Sequence, residues 1–215
     1  MINEYFTVNL EGSAEQMIQK SRFIGHVKRV TTEQEAQDFI QLIKKRYADA
    51  THNCSAYMIG EQDHIQKAND DGGEPNGTAG VPILEVLKKK ALKDTAVVIT
   101  RYFGGIKLGG GGGLIRAYSS TATLAIDTTG VVERIRMRNF EVTLDYTLLG
   151  KLENEIRQSS YLLEEIEYLD KVIIHVRVKI GAENTFTALI ADLTSGSADI
   201  KAKENSYIEI DVTNR

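Results

Sequence analysis

The chain has 215 residues, of which 42% are hydrophobic and 26% charged, a composition typical of a well-packed globular protein with one or two domains. No apolar run approaches the roughly 18 residues that a transmembrane helix needs, and the N-terminus lacks the basic and apolar regions of a secretion signal. The single cysteine, Cys54, excludes an internal disulfide framework, so we predict a cytoplasmic protein that does not contact a membrane.

The formal net charge of −4 is unevenly distributed. Residues 1–138 contain 18 Lys and Arg against 16 Asp and Glu, whereas residues 139–215 contain 8 against 14. If the protein binds nucleic acid, the first part therefore offers the better surface.

The first part of the chain mixes strand and helix patterns. Alternation and helical spacing predict the elements in this order: strands at 5–10, 15–20 and 22–30, a helix capped by Thr31 or Thr32, strands at 53–59 and roughly 64–67, a turn-rich loop at 69–80, a helix at 81–92, a strand at 95–100 and a helix at 114–126.

The second part follows a regular six-element pattern. It predicts strands at 139–147, 162–168, 171–180 and 206–212, with helices at 148–160 and 184–194. The order βαββαβ is the ferredoxin-like plan. Three alternating arginines, Arg134, Arg136 and Arg138, mark the expected connection. We therefore predict two α+β domains, at 1–136 and 137–215.

A glycine-rich segment between the strand at 95–100 and the helix at 114–126 predicts an anion site. It contains seven glycines, which let the backbone approach a ligand closely, and it leads into a helix N-terminus, which favours a negative charge. Neither a Walker A loop nor a dinucleotide fingerprint is present, and a plain surface turn is the alternative. The residues predicted to bind a phosphate or a nucleic-acid backbone are Arg101, Lys107, Gly109, Gly110, Gly111, Gly112, Gly113 and Arg116.

Other polar and aromatic residues are predicted to line the same site. The two tyrosines among them either stack on bases or belong to the core. The three carboxylates either hold Mg²⁺ or, as we favour, form turns by binding backbone N–H groups, and we predict no metal and no cofactor. These lining residues are His52, Asn53, Asp70, Asp71, Glu74, Thr78, Tyr102 and Tyr118.

Catalysis is the weaker hypothesis. A nucleophile at Cys54 would need His52 close by, but residues two apart on a strand lie nearly 7 Å apart, as estimated from about 3.3 Å per residue, and no orienting third group is evident. We therefore interpret Cys54 as a packed core residue.

Four sequence blocks together resemble one family. They read THNCSAY at 51–57, DDGGEPNGTAG at 70–80, RYFGGIKL at 101–108 and GLIRAY at 113–118. The chain resembles the YigZ/IMPACT family in its bacterial two-domain form. The resemblance implies an IMPACT-type N-terminal domain, similar to domain IV of elongation factor G, and a ferredoxin-like C-terminal domain, similar to its domain V.

The chain departs from the family pattern at two loops. Gly72-Gly73 gives one glycine more than usual, and Gly109–Gly113 is about one residue longer than the usual spacer. Extra loop residues cost little, so these additions affect the geometry of an anion site rather than the fold.

The resemblance implies a role in the regulation of translation, through protein binding in eukaryotic members and through nucleic acid in bacterial ones. We predict a non-enzymatic, translation-linked regulator that binds RNA or a ribosome-associated partner through the glycine-rich basic loop. The alternatives are an enzyme acting on a small phosphorylated ligand and a purely protein-binding regulator.

Overall fold

The computed structural model describes residues 2–61, 65–71 and 73–212, so Gly72 of the longer loop lies outside the described residues. Both helices and strands are present, which confirms the α+β class. The elements are β1 Glu4–Val8, β2 Glu11–Ile18, β3 Ser21–Arg29, α1 Glu33–Arg46, β4 His52–Met58, β5 Gln66–Asn69, α2 Gly80–Lys89, β6 Thr95–Tyr102, α3 Gly110–Thr129, β7 Val131–Leu144, α4 Tyr146–Gln158, β8 Leu162–Tyr168, β9 Val172–Lys179, α5 Glu183–Thr194 and β10 Asp199–Asp211.

The first unit is built on a five-stranded antiparallel sheet in the order β2-β3-β6-β4-β5. Nearly every residue of β4 and β6 is buried. Since successive side chains point to opposite sides of the sheet, both of its faces are covered at these two strands. Helix α1 covers one face, where Phe39 and Ile43 join a cluster with Tyr57. Helices α2 and α3 cover the other face, where Ile83 and Ile126 belong to the larger core.

The second unit has the order β7-α4-β8-β9-α5-β10 and a sheet in which β10, β7, β9 and β8 lie side by side. This confirms the ferredoxin-like plan. Its core packs sheet residues such as Phe140 and Ile174 against helical residues such as Leu152 and Phe186.

Strand β7 is longer than the sequence predicts. Arg134, Arg136 and Arg138 lie inside it rather than in a connection, because the strand begins at Val131, directly after α3. Contacts within the chain divide the described residues into two units: residues 2–133 together with 210–212, and Arg134–Glu209. No helix in the described parts of the chain is long and apolar enough to cross a membrane.

Candidate nucleic-acid interface

The sequence-predicted site residues gather at one end of the sheet of the first unit. Here β4 begins, β5 and β6 end, and α2 and α3 start. His52 on β4 and Phe23 on β3 both lie beside Arg101 in the sheet register. We call this end, with the segments 70–80 and 103–113, the loop end.

A buried ion pair forms the centre of the loop end. Arg101 Nη1 lies 2.5 Å from Glu74 Oε1, and the two residues are 5% and 7% exposed. The hydroxyl of Tyr118 donates to the same carboxylate oxygen at 2.7 Å. The pair thus joins loop 70–80, strand β6 and helix α3 at one point.

This geometry corrects the prediction for Arg101. Its guanidinium faces an internal carboxylate instead of the surface of the glycine-rich loop, and it lies 5.5 Å from the ring centres of both Phe23 and Phe103. Its Nε atom is buried without a hydrogen-bond partner among the described residues. Arg101 therefore stabilises the loop end from inside, and a ligand at the surface would not reach it.

Tyr118 is also internal. It is fully buried, and its ring meets Phe23 edge-on at 5.5 Å, so it cannot stack on a base. Burial, the neighbouring thiol of Cys54 and the hydrogen bond to Glu74 raise the pKa of Tyr118, which keeps the phenol neutral.

Cys54 is a core residue, as the sequence predicts. It is fully buried, and its Sγ accepts a hydrogen bond from the backbone N–H of Asp71 at 3.3 Å. Burial raises the pKa of the Cys54 thiol to about 11, so the thiol is protonated at neutral pH and is a poor nucleophile.

The carboxylates of the two aspartates bind backbone N–H groups, but these groups lie 7 to 18 residues away rather than within a local turn. Asp70 accepts hydrogen bonds from the backbone N–H groups of Gly77, Ala79 and Gly80, at 2.7, 3.2 and 2.6 Å. These bonds place a carboxylate at the N-terminus of α2, where it offsets the helix dipole. Asp71 Oδ2 accepts the backbone N–H of Asn53 at 2.9 Å.

Three further predicted lining residues also hold the loops. His52 Nε2 lies 3.9 Å from Glu74 Oε1, with its side chain 14% exposed. The side chain of Asn53 is buried between Tyr47 O and the hydroxyl of Thr100. Thr78 donates from its hydroxyl to the carbonyl of Pro75 at 2.6 Å. Of these three, His52 is the one whose side chain is only partly covered.

The N-terminus of α3 is open, in contrast to that of α2. Gly109 is its N-cap, no side-chain hydrogen bond caps it among the described residues, and the first turn contains no acidic residue. The helix begins at Gly110 rather than near Leu114 as predicted, so Gly110, Gly111, Gly112 and Gly113 form its first turn. A cavity of about 420 Å³ lies here, lined by residues that include Gln19, Gly109, Gly113, Arg116 and Ser120.

Two exposed cations flank this open terminus. Lys107 precedes it and Arg116 follows it by about one and a half turns, and neither forms an ion pair among the described residues. Arg116 lines the cavity, whereas Lys107 lies in the loop. The glycines and these two side chains therefore remain as the candidate anion-binding residues.

The glycine-rich loop is fixed where it leaves β6. The backbone N–H groups of Phe103 and Gly104 donate to the hydroxyls of Thr51 and Ser21, at 2.9 and 3.2 Å. A Cβ atom on Gly104 would lie 1.9 Å from the carbonyl oxygen of Lys20, so only glycine fits. Beyond this anchor Phe103 and Ile106 are 45% and 41% exposed. Tyr102 is half-buried and donates to Asp49.

Sequence reasoning missed the pairing of Glu74 with Arg101. One signal was available: an arginine that ends a continuous run of buried strand residues needs an internal partner, since a buried charge is costly unless it is paired. The hydroxyls of Thr51 and Ser21 were missed too, and no local pattern marks them.

Comparisons with known proteins agree with this architecture. The Impact N-terminal domain matches residues 19–126, and the Domain of unknown function (DUF1949) matches residues 142–197. The IMPACT family member YvyE of Bacillus subtilis (strain 168) is 58% identical over 209 residues, which cover 97% of this chain and 95% of YvyE. The IMPACT family member YigZ of Escherichia coli (strain K12) is 30% identical, over 87% of this chain and 92% of YigZ.

A solved structure agrees as well. The crystal structure of an hypothetical protein superposes with a TM-score of 0.59 at 27% identity, covering 95% of this chain and 99% of that one. Both domains thus match along nearly the whole length of the chain, and the chain belongs to the IMPACT family.

Proposed function

We propose that this protein binds RNA through the phosphate backbone at the loop end, as part of a role in translation. The observation that carries the proposal is the open N-terminus of α3 between Lys107 and Arg116. Unpaired N–H groups at a helix start attract an anion, and both cations are free of ion pairs among the described residues.

The surroundings of the helix start suit a single strand. Phe103 and Ile106 are exposed in the loop that contains Lys107, and an exposed aromatic ring offers a base a stacking surface without sequence preference. Glycines at the first turn of α3 let a phosphate approach the backbone. These features support binding through several phosphates rather than recognition of one sequence.

The enzyme alternative has less support at this site. Glu74 is already paired with Arg101 and Tyr118, and the thiol of Cys54 is buried and protonated. Neither side chain is free to act as a general base or a nucleophile.

The test is the binding of a fluorescently labelled single-stranded RNA by the full chain across a salt series. A Lys107→Ala/Arg116→Ala variant should lose about tenfold in affinity at low salt. Its plot of log affinity against log salt should also be less steep, by about 1–1.5, because two phosphate contacts are lost.

The matched control is Lys45→Ala/Arg46→Ala, which removes one lysine and one arginine from the end of α1, on the other face of the sheet. It should change affinity by less than about twofold. Equal losses in the two variants, or an affinity that does not change with salt, would show that the loop end is not the RNA site.

A further inference from the structure

A groove of about 1030 Å³ lies between α2 and α3. Pro82 and Val86 contribute to its lining from α2, and Ile115 and Leu124 from α3. Ile115 and Leu124 are 41% and 36% exposed, although both are large apolar side chains. Apolar side chains exposed along a groove between helices are typical of surfaces that take up a partner's helix.

The ends of the groove set the length of its occupant. At one end Lys90, just past α2, pairs with Asp127 of α3 at 2.7 Å. Arg116 lies at the other end, eleven residues earlier on α3, which corresponds to about 17 Å of helix. Ser119 and Thr123 lie between these ends on α3, and their small side chains leave space in the groove. A helix of about three turns fits this length.

The charges around the groove set the chemistry of the occupant. Its two carboxylates are already paired, Asp127 with Lys90 and Glu85 with Lys88. Lys89 and Arg116 also line the groove, and neither has an ion pair among the described residues. Lys89 belongs to α2 near the end with the Lys90–Asp127 pair, and Arg116 belongs to α3 near the other end. The uncompensated charge is therefore positive and sits at opposite corners.

We propose that this groove binds an amphipathic helix of another protein. The helix has an apolar face about three turns long and an acidic side chain near each end, on opposite flanks. This protein-binding surface goes beyond the proposed RNA site. Arg116 and Ser120 line both the groove and the cavity at the start of α3, and the other residues that line the groove are its own.

The probe is a synthetic labelled peptide of about 12 residues, with leucines at positions i, i+3, i+4 and i+7 and a glutamate near each end. One comparison peptide carries lysines in place of the glutamates, and another carries a central proline that breaks the helix. The glutamate peptide should bind saturably in fluorescence anisotropy, and the other two at least about fivefold more weakly.

Two variants of the full chain locate the binding. Lys89→Glu should weaken the glutamate peptide about tenfold and strengthen the lysine peptide, since it reverses one of the two free charges. Thr123→Trp should fill the groove and abolish binding of both peptides while RNA affinity stays unchanged. Lys45→Glu on α1 and Thr128→Trp at the exposed end of α3 are the matched controls and should bind like the unchanged protein.

The proposal is overturned if the glutamate peptide does not bind saturably, if all three peptides bind equally, or if Lys89→Glu and Lys45→Glu behave alike. Because Arg116 lines both sites, RNA is expected to weaken peptide binding, and the locating evidence is therefore the effect of Thr123→Trp, which lies in the groove alone. If Thr123→Trp fails to fold by circular dichroism, the charge reversal at Lys89 still decides the question. RNA affinity measured in parallel separates a failure of this proposal from a failure of the RNA site.

Discussion

Helices α2 and α3 start at the same end of the same sheet, but a carboxylate caps the N-terminus of α2 and no side-chain cap is found at that of α3 among the described residues. Asp70 accepts three backbone N–H groups around the start of α2, so that terminus is neutralised from within the protein. The start of α3 has glycines and no side-chain cap. An internal carboxylate marks a terminus that the fold uses for its own stability. An uncapped terminus near cations that have no ion pair among the described residues is the one that we propose for an external anion.

The two termini are linked through the buried pair of Glu74 and Arg101. Glu74 lies in the loop that leads to α2, and Tyr118, which donates to it, lies on α3. The capped terminus and the open one are thus held in fixed positions by the same cluster, and the first prediction breaks that link.

Replacing Glu74 should have the largest effect. Glu74→Ala leaves the guanidinium of Arg101 buried without its carboxylate, which should lower the free energy of unfolding by about 3–5 kcal/mol in urea denaturation. Glu85→Ala, which removes an exposed ion pair with Lys88, should cost less than about 1 kcal/mol. Equal costs would mean that the buried pair does not hold the two helix starts.

Cys54 also connects loop 70–80 with helix α3, through the N–H of Asp71 and the hydroxyl of Tyr118. Burial raises the pKa of its thiol from 9.0 to about 11, so the unfolded chain ionises first as pH rises. The thiol's contribution to stability is therefore complete below about pH 9 and is lost toward pH 11, a change of about 2 kcal/mol.

The measurement compares unfolding free energies of the unchanged protein and Cys54→Ala across this range. The variant should be less stable at pH 7 by about 1–2 kcal/mol, because it leaves a small cavity, and its curve should be flatter at alkaline pH. Parallel pH curves would contradict the role assigned to the thiol.

The cap of α2 is the next target. Asp70→Ala should lower the free energy of unfolding by about 1 kcal/mol, the usual cost of losing a side chain that caps a helix start, and thermal denaturation would measure it. Both carboxylate oxygens of Asp70 accept hydrogen bonds, so Asp70→Asn, which keeps one acceptor oxygen and no charge, should recover only part of this loss. An Asp70→Ala protein as stable as the original would remove the distinction between the two helix starts.

The smallest change in stability, but the most direct test of the comparison, comes from capping α3. Gly109 has φ −47° and ψ 120°, and a Cβ there would meet nothing within 4 Å, so Gly109→Asp fits without strain. It should raise the free energy of unfolding by about 0.5 kcal/mol. It should also weaken RNA binding, since the new carboxylate occupies the anion site.

Gly109→Asn is the control for this change, because it supplies a neutral cap of the same shape. It should weaken RNA binding less than Gly109→Asp does. A capped α3 that binds RNA as well as before would show that the open terminus does not contact phosphate.

The periodic elements could be predicted from the sequence. The alternation of Val172, Ile174, Val176 and Val178 identifies β9, and alternation and helical spacing together predict the ferredoxin-like order. The start of α3 could not be predicted this way. Glycine disfavours helix, so four glycines in a row argued for a loop, yet packing of the rest of α3 on the sheet extends the helix through them.

The candidate site was predicted only in part. The residue type and the turn-rich loop predicted that the aspartates bind backbone N–H groups. The sequence did not show which groups these are, because Asp70 reaches Gly77 and Gly80, 7 and 10 residues away. Glu74 and Arg101 are 27 residues apart, and their contact depends on the sheet register and on the path of the loop. The sequence does not show that contact, so Arg101 was interpreted as a surface cation and was assigned to the predicted anion site.

The division of the chain between its two units has a consequence for biosynthesis. Residues 210–212 belong with the first unit, and the buried Val212 donates its N–H to the carbonyl of Val131 at 2.9 Å. A ribosome releases these residues only after Arg134–Glu209. Since domains fold as they emerge, the first unit can fold early, but its pairing at Val131 is completed only after the whole of Arg134–Glu209 has been made.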